Sequence, residues 1–264
     1  MSLERQTNFE PDNARAPIVG VVEQWPSISQ RDMHSHHRDQ LMYATRGAMH
    51  VITETARWVL PPTRAIWISR NTAHAFETKR PVDVTILYVD PHAPGSPRWE
   101  ECTVINVSLL VRELLSACAA FSWDYRPNSR AGRLARVLLE QLQVLPQAPL
   151  KLPDPKDPRA VRLAQWFRKH PGVRIPLSEL APKFGGSVKT LERAFVADTG
   201  MSFGEWRLRL RMMTALEHLA YGESVENVAH HVGYESSSSF IVAFRNTFGT
   251  TPSRYFNVQV DKIN

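Results

Sequence analysis

From Ile18 onward, short apolar runs alternate with turn signals. Ile18–Val22, Gln40–Ala44, Met49–Thr53, Arg57–Leu60, Ala65–Ile68, His74–Glu77 and Val82–Val89 are strand candidates, several of them rich in Val, Ile, Thr, Tyr and Trp. Arg46-Gly47 and Pro61-Pro62 stand where turns belong. Many short strands at close spacing predict a small barrel or jelly roll. Ahead of them, Met1–Pro17 is polar and proline-punctuated, without periodicity, and is expected to be partly mobile. After Asp90 the period changes. Pro91, Pro94 and Pro97 make a loop, a short strand follows near Cys102–Asn106, and Leu110, Leu114, Ala117 and Phe121 then fall on one helical stripe. A second helix is predicted over Ala131–Val144. The segment Pro146–Pro158 is proline-rich, which predicts an extended, semi-stiff linker that neither neighbouring helix can continue through.

Beyond the linker the period is helical throughout. Asp157-Pro158 supplies an N-cap followed by proline at the first helical position, opening a helix that carries Val161, Ala164 and Phe167. Two similar units follow. In the first, Leu177, Leu180, Ala181 and Phe184 precede Gly185-Gly186, and Ser187 caps a helix bearing Leu191 and Phe195. In the second, Val225, Val228, Ala229 and Val232 run into Gly233-Tyr234, and Ser236 caps a helix bearing Phe240, Phe244 and Phe248. Helix, glycine turn, capped helix is the helix-turn-helix plan, in which the second helix enters the DNA major groove. A single helix over Phe203–Ala220 joins the units. Its Trp206, Leu210, Met213 and Leu216 take apolar positions, and Arg207, Arg209 and Arg211 are expected to be solvated or to face phosphate.

These paired units, with the closing FGTTPSRYF, resemble the DNA-binding domain of the AraC/XylS family of transcription regulators over roughly the last hundred residues. Spacing then divides core from DNA faces. With Leu191 and Phe195 in the core, Val188, Lys189, Thr190, Glu192 and Arg193 are left for the groove. Arg193 is suited to bidentate guanine contact, and Lys189 to phosphate. Glu192 either orients an arginine or accepts from cytosine. With Phe240 and Phe244 in the second core, Ser236, Ser237, Ser238, Ile241, Val242 and Arg245 form the other face. Either Ile241 and Val242 meet thymine methyl groups, or the helix sits shallowly and clamps the backbone through Arg245 and the serines.

The strand-rich part contains a histidine pattern: His34-Ser-His36, followed after three residues by Gln40 and after six more by Gly47, then Ser69-x-Asn71-x-x-His74. It resembles the two cupin motifs, and the stretch from about Ser27 to Asp90 looks like an AraC-type cupin sensor domain. Strand alternation lets His34 and His36 share one face, and His74 from another strand can complete a set with Gln40. Three imidazoles and one amide oxygen suit a divalent transition metal. Glutamine replaces the usual glutamate of the motif, removing a charge that would hold a dication. These groups therefore either bind metal, contact an organic effector or form a satisfied polar lining. His37 should point outward, and His50 and His92 are expected to be ordinary surface or edge histidines. Trp25, Trp58 and Trp67 are aromatic candidates for an effector pocket, Trp67 foremost, with core packing as the alternative for each.

Composition adjusts this picture modestly. The chain has 264 residues, enough for about two domains. No stretch approaches the roughly 20 apolar residues of a membrane helix, and no basic-then-apolar leader opens the chain. Cys102 and Cys118 are too few for a disulfide framework, so a cytoplasmic setting is expected. From Lys156 to Asn264 there are 15 Lys and Arg against 10 Asp and Glu, so most of the formal charge of +6 lies where DNA phosphates would be met. The expected molecule is α+β, with an all-β cupin barrel over residues 18–100. A helical self-association region and proline-rich linker occupy 101–155, and an all-α double helix-turn-helix domain occupies 156–264. Its expected partners are a double-stranded DNA operator, a small-molecule or metal effector, a second copy of the chain and, for an activator, RNA polymerase. The competing class is a metal-dependent cupin enzyme with a helical appendage.

Overall fold

The apolar runs pair into two sheets that close on each other. The computed structural model describes residues 10–26, 28–148 and 150–256. The strands are β1 (Ile18–Trp25), β2 (Ser29–His34), β3 (Asp39–Arg46), β4 (Met49–Thr53), β5 (Ala56–Leu60), β6 (Arg64–Ile68), β7 (His74–Thr78), β8 (Val82–Val89), β9 (Thr103–Asn106) and β10 (Lys151–Pro153). One sheet has the order β1-β8-β3-β6-β9, the other β10-β5-β4-β7-β2, with antiparallel pairing throughout. Facing positions of the two sheets (Met42, Ile66, Ile68, Val84, Ile86 and Tyr88 against Met49, Val51, Trp58, Leu60 and Phe76) make one core.

Two of these strands were not legible in the chain. β2 is an edge strand of mostly polar residues, exposed along most of its length. β10 lies in the expected linker, where Lys151 pairs with Trp58 and Pro153 with Ala56. The segment is thus stitched to the barrel, and β9 and β10 carry the barrel beyond residue 100. Pro149 lies outside the described residues. So do residues 1–9 of the N-terminal arm, but its remainder is held. Asp12 accepts from the backbone N–H groups of His37 and Arg38, and buried Arg38 donates to Ala16 O at 2.9 Å.

The outer face of the first sheet is covered by α1 (Leu109–Ala119) and α2 (Arg130–Gln143), capped by Ser108 and Ser129. Val111, Leu114, Leu115, Leu138, Leu139 and Leu142 bury against Leu41, Tyr43, Trp67, Leu87 and Val89. Strands buried on both faces read as continuous apolar runs, which is why β3, β6 and β8 show little alternation.

The helical domain comprises α3 (Pro158–Lys169), α4 (Leu177–Leu180, continued by a 3-10 turn at Ala181–Phe184), α5 (Val188–Thr199), α6 (Phe203–Ala220), α7 (Val225–His231), α8 (Ser237–Phe248) and α9 (Pro252–Tyr255). A capping box between Ser202 and Glu205 opens α6. This helix docks on the outer face of the second sheet. Buried Glu217 accepts from His50 Nε2 at 3.0 Å and Lys79 Nζ at 3.2 Å, so His50 is an interdomain contact rather than an ordinary surface histidine. Nearby, Arg80 pairs with Glu223 at 2.6 Å and the Tyr221 hydroxyl donates to Ala48 O at 3.1 Å. Trp206 Nε1 donates to Pro153 O at 2.8 Å.

The arginines of α6 are not solvated as expected. Arg207 and Arg211 donate to carbonyls of the loop after α3 (Val173 and Ile175 for the first, Pro171 and Val173 for the second), and Arg209 donates to Lys151 O. Desolvation draws the Arg207 pKa down to about 10. Carbonyls held away from water need donors, and these guanidiniums supply them to the loop and to β10.

Candidate nucleic-acid interface and histidine cluster

Both recognition helices are fixed from behind. Leu191 and Phe195 of α5 are fully buried, as are Phe240 and Phe244 of α8. Ser187 Oγ accepts from Thr190 N at 3.2 Å and Ser236 Oγ from Ser239 N at 3.3 Å, starting each helix at the glycine turn. On α5, Val188, Lys189 and Arg193 are exposed, with Thr190 half-buried beside the cap. Lys189 and Arg193 line a groove of about 660 Å³ together with Lys156 and Arg159. Glu192 is committed elsewhere: its Oε2 accepts from Phe203 N at 3.1 Å, at the start of α6. Neither expectation for Glu192, orienting an arginine or reading cytosine, describes that placement.

On α8, Ser238, Val242 and Arg245 are exposed, Val242 by 60%. Ser237 and Ile241 are half-buried, and Ile241 packs against the core, so its side chain is shared between core and surface. Ser236 spends its hydroxyl on the cap. Asn246 and Ser239 are exposed on this helix and were passed over in the sequence. The i, i+4 step from Val242 to Asn246 is the signal that finds the first of them. Arg159 was missed because its neighbour on α5 is distant in the chain.

Inside the barrel, His34, His36 and His74 come together, with one ring nitrogen from each lying within 4.8 Å of the others. His34 closes β2, His36 follows in the loop and His74 opens β7, opposite His34 in register. Ring centroids are 5.0 Å apart for His34 and His36, and 4.5 Å for His34 and His74. His34 Nδ1 lies 2.7 Å from Asp32 O, and His74 Nδ1 lies 2.8 Å from Thr72 O. A carbonyl only accepts, so each Nδ1 carries a proton, and in the neutral ring each Nε2 presents a lone pair. Nε2 of all three rings is buried without a hydrogen-bond partner, as is Gln40 Oε1. Gln40 also hydrogen-bonds the Tyr88 hydroxyl. Desolvation, reinforced by the neighbouring rings, pulls the His74 pKa down to about 4 and lowers that of His36, favouring neutral ligand forms. In their neutral forms His34 and His74 turn lone pairs toward the His36 ring and an amide oxygen, a set of donors that fits a metal cation.

Trp67 does not join this group. Alternation along β6 puts Ile66 and Ile68 inward and Trp67 outward, beneath α1 and α2 and edge-on to Trp99 at 5.6 Å. Trp58 faces inward as core, and His37 is exposed.

Two serine-capped helix-turn-helix units on one docked strut, carried by a β-barrel, define a double helix-turn-helix DNA-binding protein. The helix-turn-helix domain model matches residues 180–257. The chain is 32% identical to the HTH-type transcriptional regulator NimR of Escherichia coli (strain K12) over 248 residues, covering 94% of this chain and 90% of that protein. It is 23% identical to the HTH-type transcriptional activator RhaS of Pectobacterium carotovorum (strain PC1), covering 96% of each. Among crystal structures, ToxT from Vibrio cholerae covers 92% of this chain and 99% of its own, at 12% identity and a TM-score of 0.39. The chain belongs to the AraC/XylS family of helix-turn-helix transcriptional regulators. Among the described residues, no helix is long and apolar enough to cross a membrane.

Proposed function

We propose that this DNA-binding regulator is controlled by a divalent transition metal held in the barrel by His34, His36 and His74, with Gln40 as a fourth donor. The observation that carries this reading is the set of three buried Nε2 atoms without partners, two of them in rings whose Nδ1 donates to a carbonyl behind it. Buried acceptors left unpaired are costly, and a cation relieves all of them at once. The bound ion would supply Lewis acidity and a charge of two. With four neutral donors nothing offsets that charge, so binding is weaker than with glutamate and the ion is exchangeable, as a sensor requires. The role is regulatory rather than catalytic, in keeping with the family.

Arg193 reads a base from α5, with Lys189, Lys156 and Arg159 on phosphates beside it. On α8, Ser238, Val242, Arg245 and Asn246 face the second groove segment. The protein acts in the cytoplasm as a homodimer through the outer edges of α1 and α2, where Leu110 is 53% exposed and Val137 39%. RNA polymerase is a partner if promoters are activated.

The test begins with DNA selected from a random pool by the purified chain and sequenced. Metal content and affinity for the selected site are then measured for wild type and for the His36→Ala, His74→Ala double variant, before and after chelation. The wild type should hold about one metal per chain and change its DNA affinity on loading; the variant should do neither. A metal-free wild type that gains nothing from zinc, nickel, cobalt or iron(II), or a variant whose DNA response matches wild type, removes the metal from the account.

A further inference from the structure

We propose that Val242 reads a thymine through its 5-methyl group, an assignment that rests on the proposed base reading by α5 and α8. From the fourth to the eighth residue after their capping serines, Ser187 and Ser236, the two recognition helices repeat each other. The fourth and eighth residues are Leu191 and Phe195 in α5 and Phe240 and Phe244 in α8, all fully buried. The fifth, Glu192 and Ile241, are half-buried and turned inward, the first onto Phe203 N and the second onto the core. The seventh is a half-buried alanine in both, Ala194 and Ala243. The sixth is exposed in both: Arg193 in α5 and Val242 in α8. Val242 therefore holds in the second unit the place that Arg193 holds in the first.

What that place can read depends on the side chain. Arg193 offers guanidinium N–H groups, which suit the acceptors of guanine. A valine side chain has neither donor nor acceptor, and the apolar group that bases present in the major groove is the 5-methyl of thymine. Val242 is 60% exposed, and Ser238, Arg245 and Asn246, which share its helix surface, are exposed and polar. The fold gains little from a valine there, since an exposed side chain buries little area and β-branching loses χ1 freedom in a helix. Set into the groove, its methyl groups cover the thymine methyl, and water leaves both surfaces. The two units then read by different chemistry, α5 by charge-assisted hydrogen bonds and α8 by an apolar contact. A binding site accordingly has a segment recognised by guanine and a segment recognised by thymine.

The test uses the full chain and the DNA site selected from the random pool. Each thymine of that site is replaced in turn by deoxyuridine, which removes the 5-methyl group and keeps the base pair. Wild type should lose about fourfold in affinity at the thymine that α8 meets, the effect of one buried methyl group. That base pair should differ from the one whose preference Arg193→Ala relaxes. Val242→Ala should bind the thymine and deoxyuridine forms of the site alike, with circular dichroism certifying its fold. At the same position, 5-methylcytosine should bind wild type better than cytosine does, and should make no difference to Val242→Ala. A selected site in which no deoxyuridine weakens wild type, 5-methylcytosine that binds wild type no better than cytosine, or a Val242→Ala protein that feels these changes as wild type does each overturns the thymine assignment and leaves the reading by Arg193 standing. A pool that yields no preferred sequence removes base reading by both helices, and the thymine assignment with it.

Discussion

Replacing Gly233 by alanine tests whether the two helix-turn-helix units are fixed against each other by direct backbone contact. Gly233 has φ +85, and a Cβ there would lie 2.2 Å from Gly172 O, in the loop after α3. Across the same contact, a Cβ on Gly172 would lie 2.3 Å from His231 O, and Arg174 Nε donates to Gly233 O at 2.8 Å. Two costs add at Gly233. A left-handed conformation costs an L-residue about 1–2 kcal/mol, and forcing atoms into a packed contact costs about 1–3 kcal/mol. Gly233→Ala should therefore destabilise the helical domain by about 2–5 kcal/mol. Gly200 is the control, since it has φ +71 and nothing within 4 Å of its would-be Cβ, leaving only the conformational cost. Gly172 is outside the left-handed region and isolates the clash. Urea midpoints by circular dichroism for the three single variants measure these differences, and affinity for the selected DNA reports whether the recognition helices keep their spacing. If Gly233→Ala is no more destabilised than Gly200→Ala, the close approach carries no energy and the argument fails.

Arg193→Ala should cost about 1–3 kcal/mol of DNA affinity and relax preference at one operator position, whereas Lys189→Ala should weaken all sequences alike and lower the salt slope by about 1; competition binding over single-base operator variants at several salt concentrations distinguishes them. Glu217 gives a pH signature. Burial alone would raise its pKa, but the His50 hydrogen bond and the charges of His50 and Lys79 outweigh it and hold the carboxyl at about 2. Its ordinary value is about 4.3. A depressed carboxyl contributes its full stabilisation above the unfolded value and loses it as pH falls toward the folded one, here at most about 3 kcal/mol between pH 4.3 and 2. Glu217→Gln should be less stable at neutral pH and should flatten that part of the stability profile; an unchanged acid limb means the carboxylate is not held by its partners.

Much of this was legible along the chain because it depends on local period and capping. The bounds of α6, the serine caps at Ser187 and Ser236 and the strands β4 and β8 follow from residues within a turn or two of one another. The histidine set was legible as a motif, although pleating is not what assembles it: β2 ends at His34, His36 lies in the loop that follows, and only His34 and His74 face each other across paired strands.

What the tertiary structure decided is everything that depends on a distant surface. β6 is apolar at four consecutive positions because it is covered on both sides, so nothing in its pattern says which way Trp67 points. β2 and β10 are strands because of what they pair with, their own residues being polar or proline-bounded. Helix α6 meets the barrel, the loop after α3 and both units, so hardly any side of it is left to water, and its arginines find backbone carbonyls in place of solvent. His50 and Glu217 are 167 residues apart in the chain. Each alone reads as an ordinary polar residue, His50 on a strand and Glu217 on a helix. Their meaning as a clasp arises only when burial removes the water that would otherwise satisfy them both.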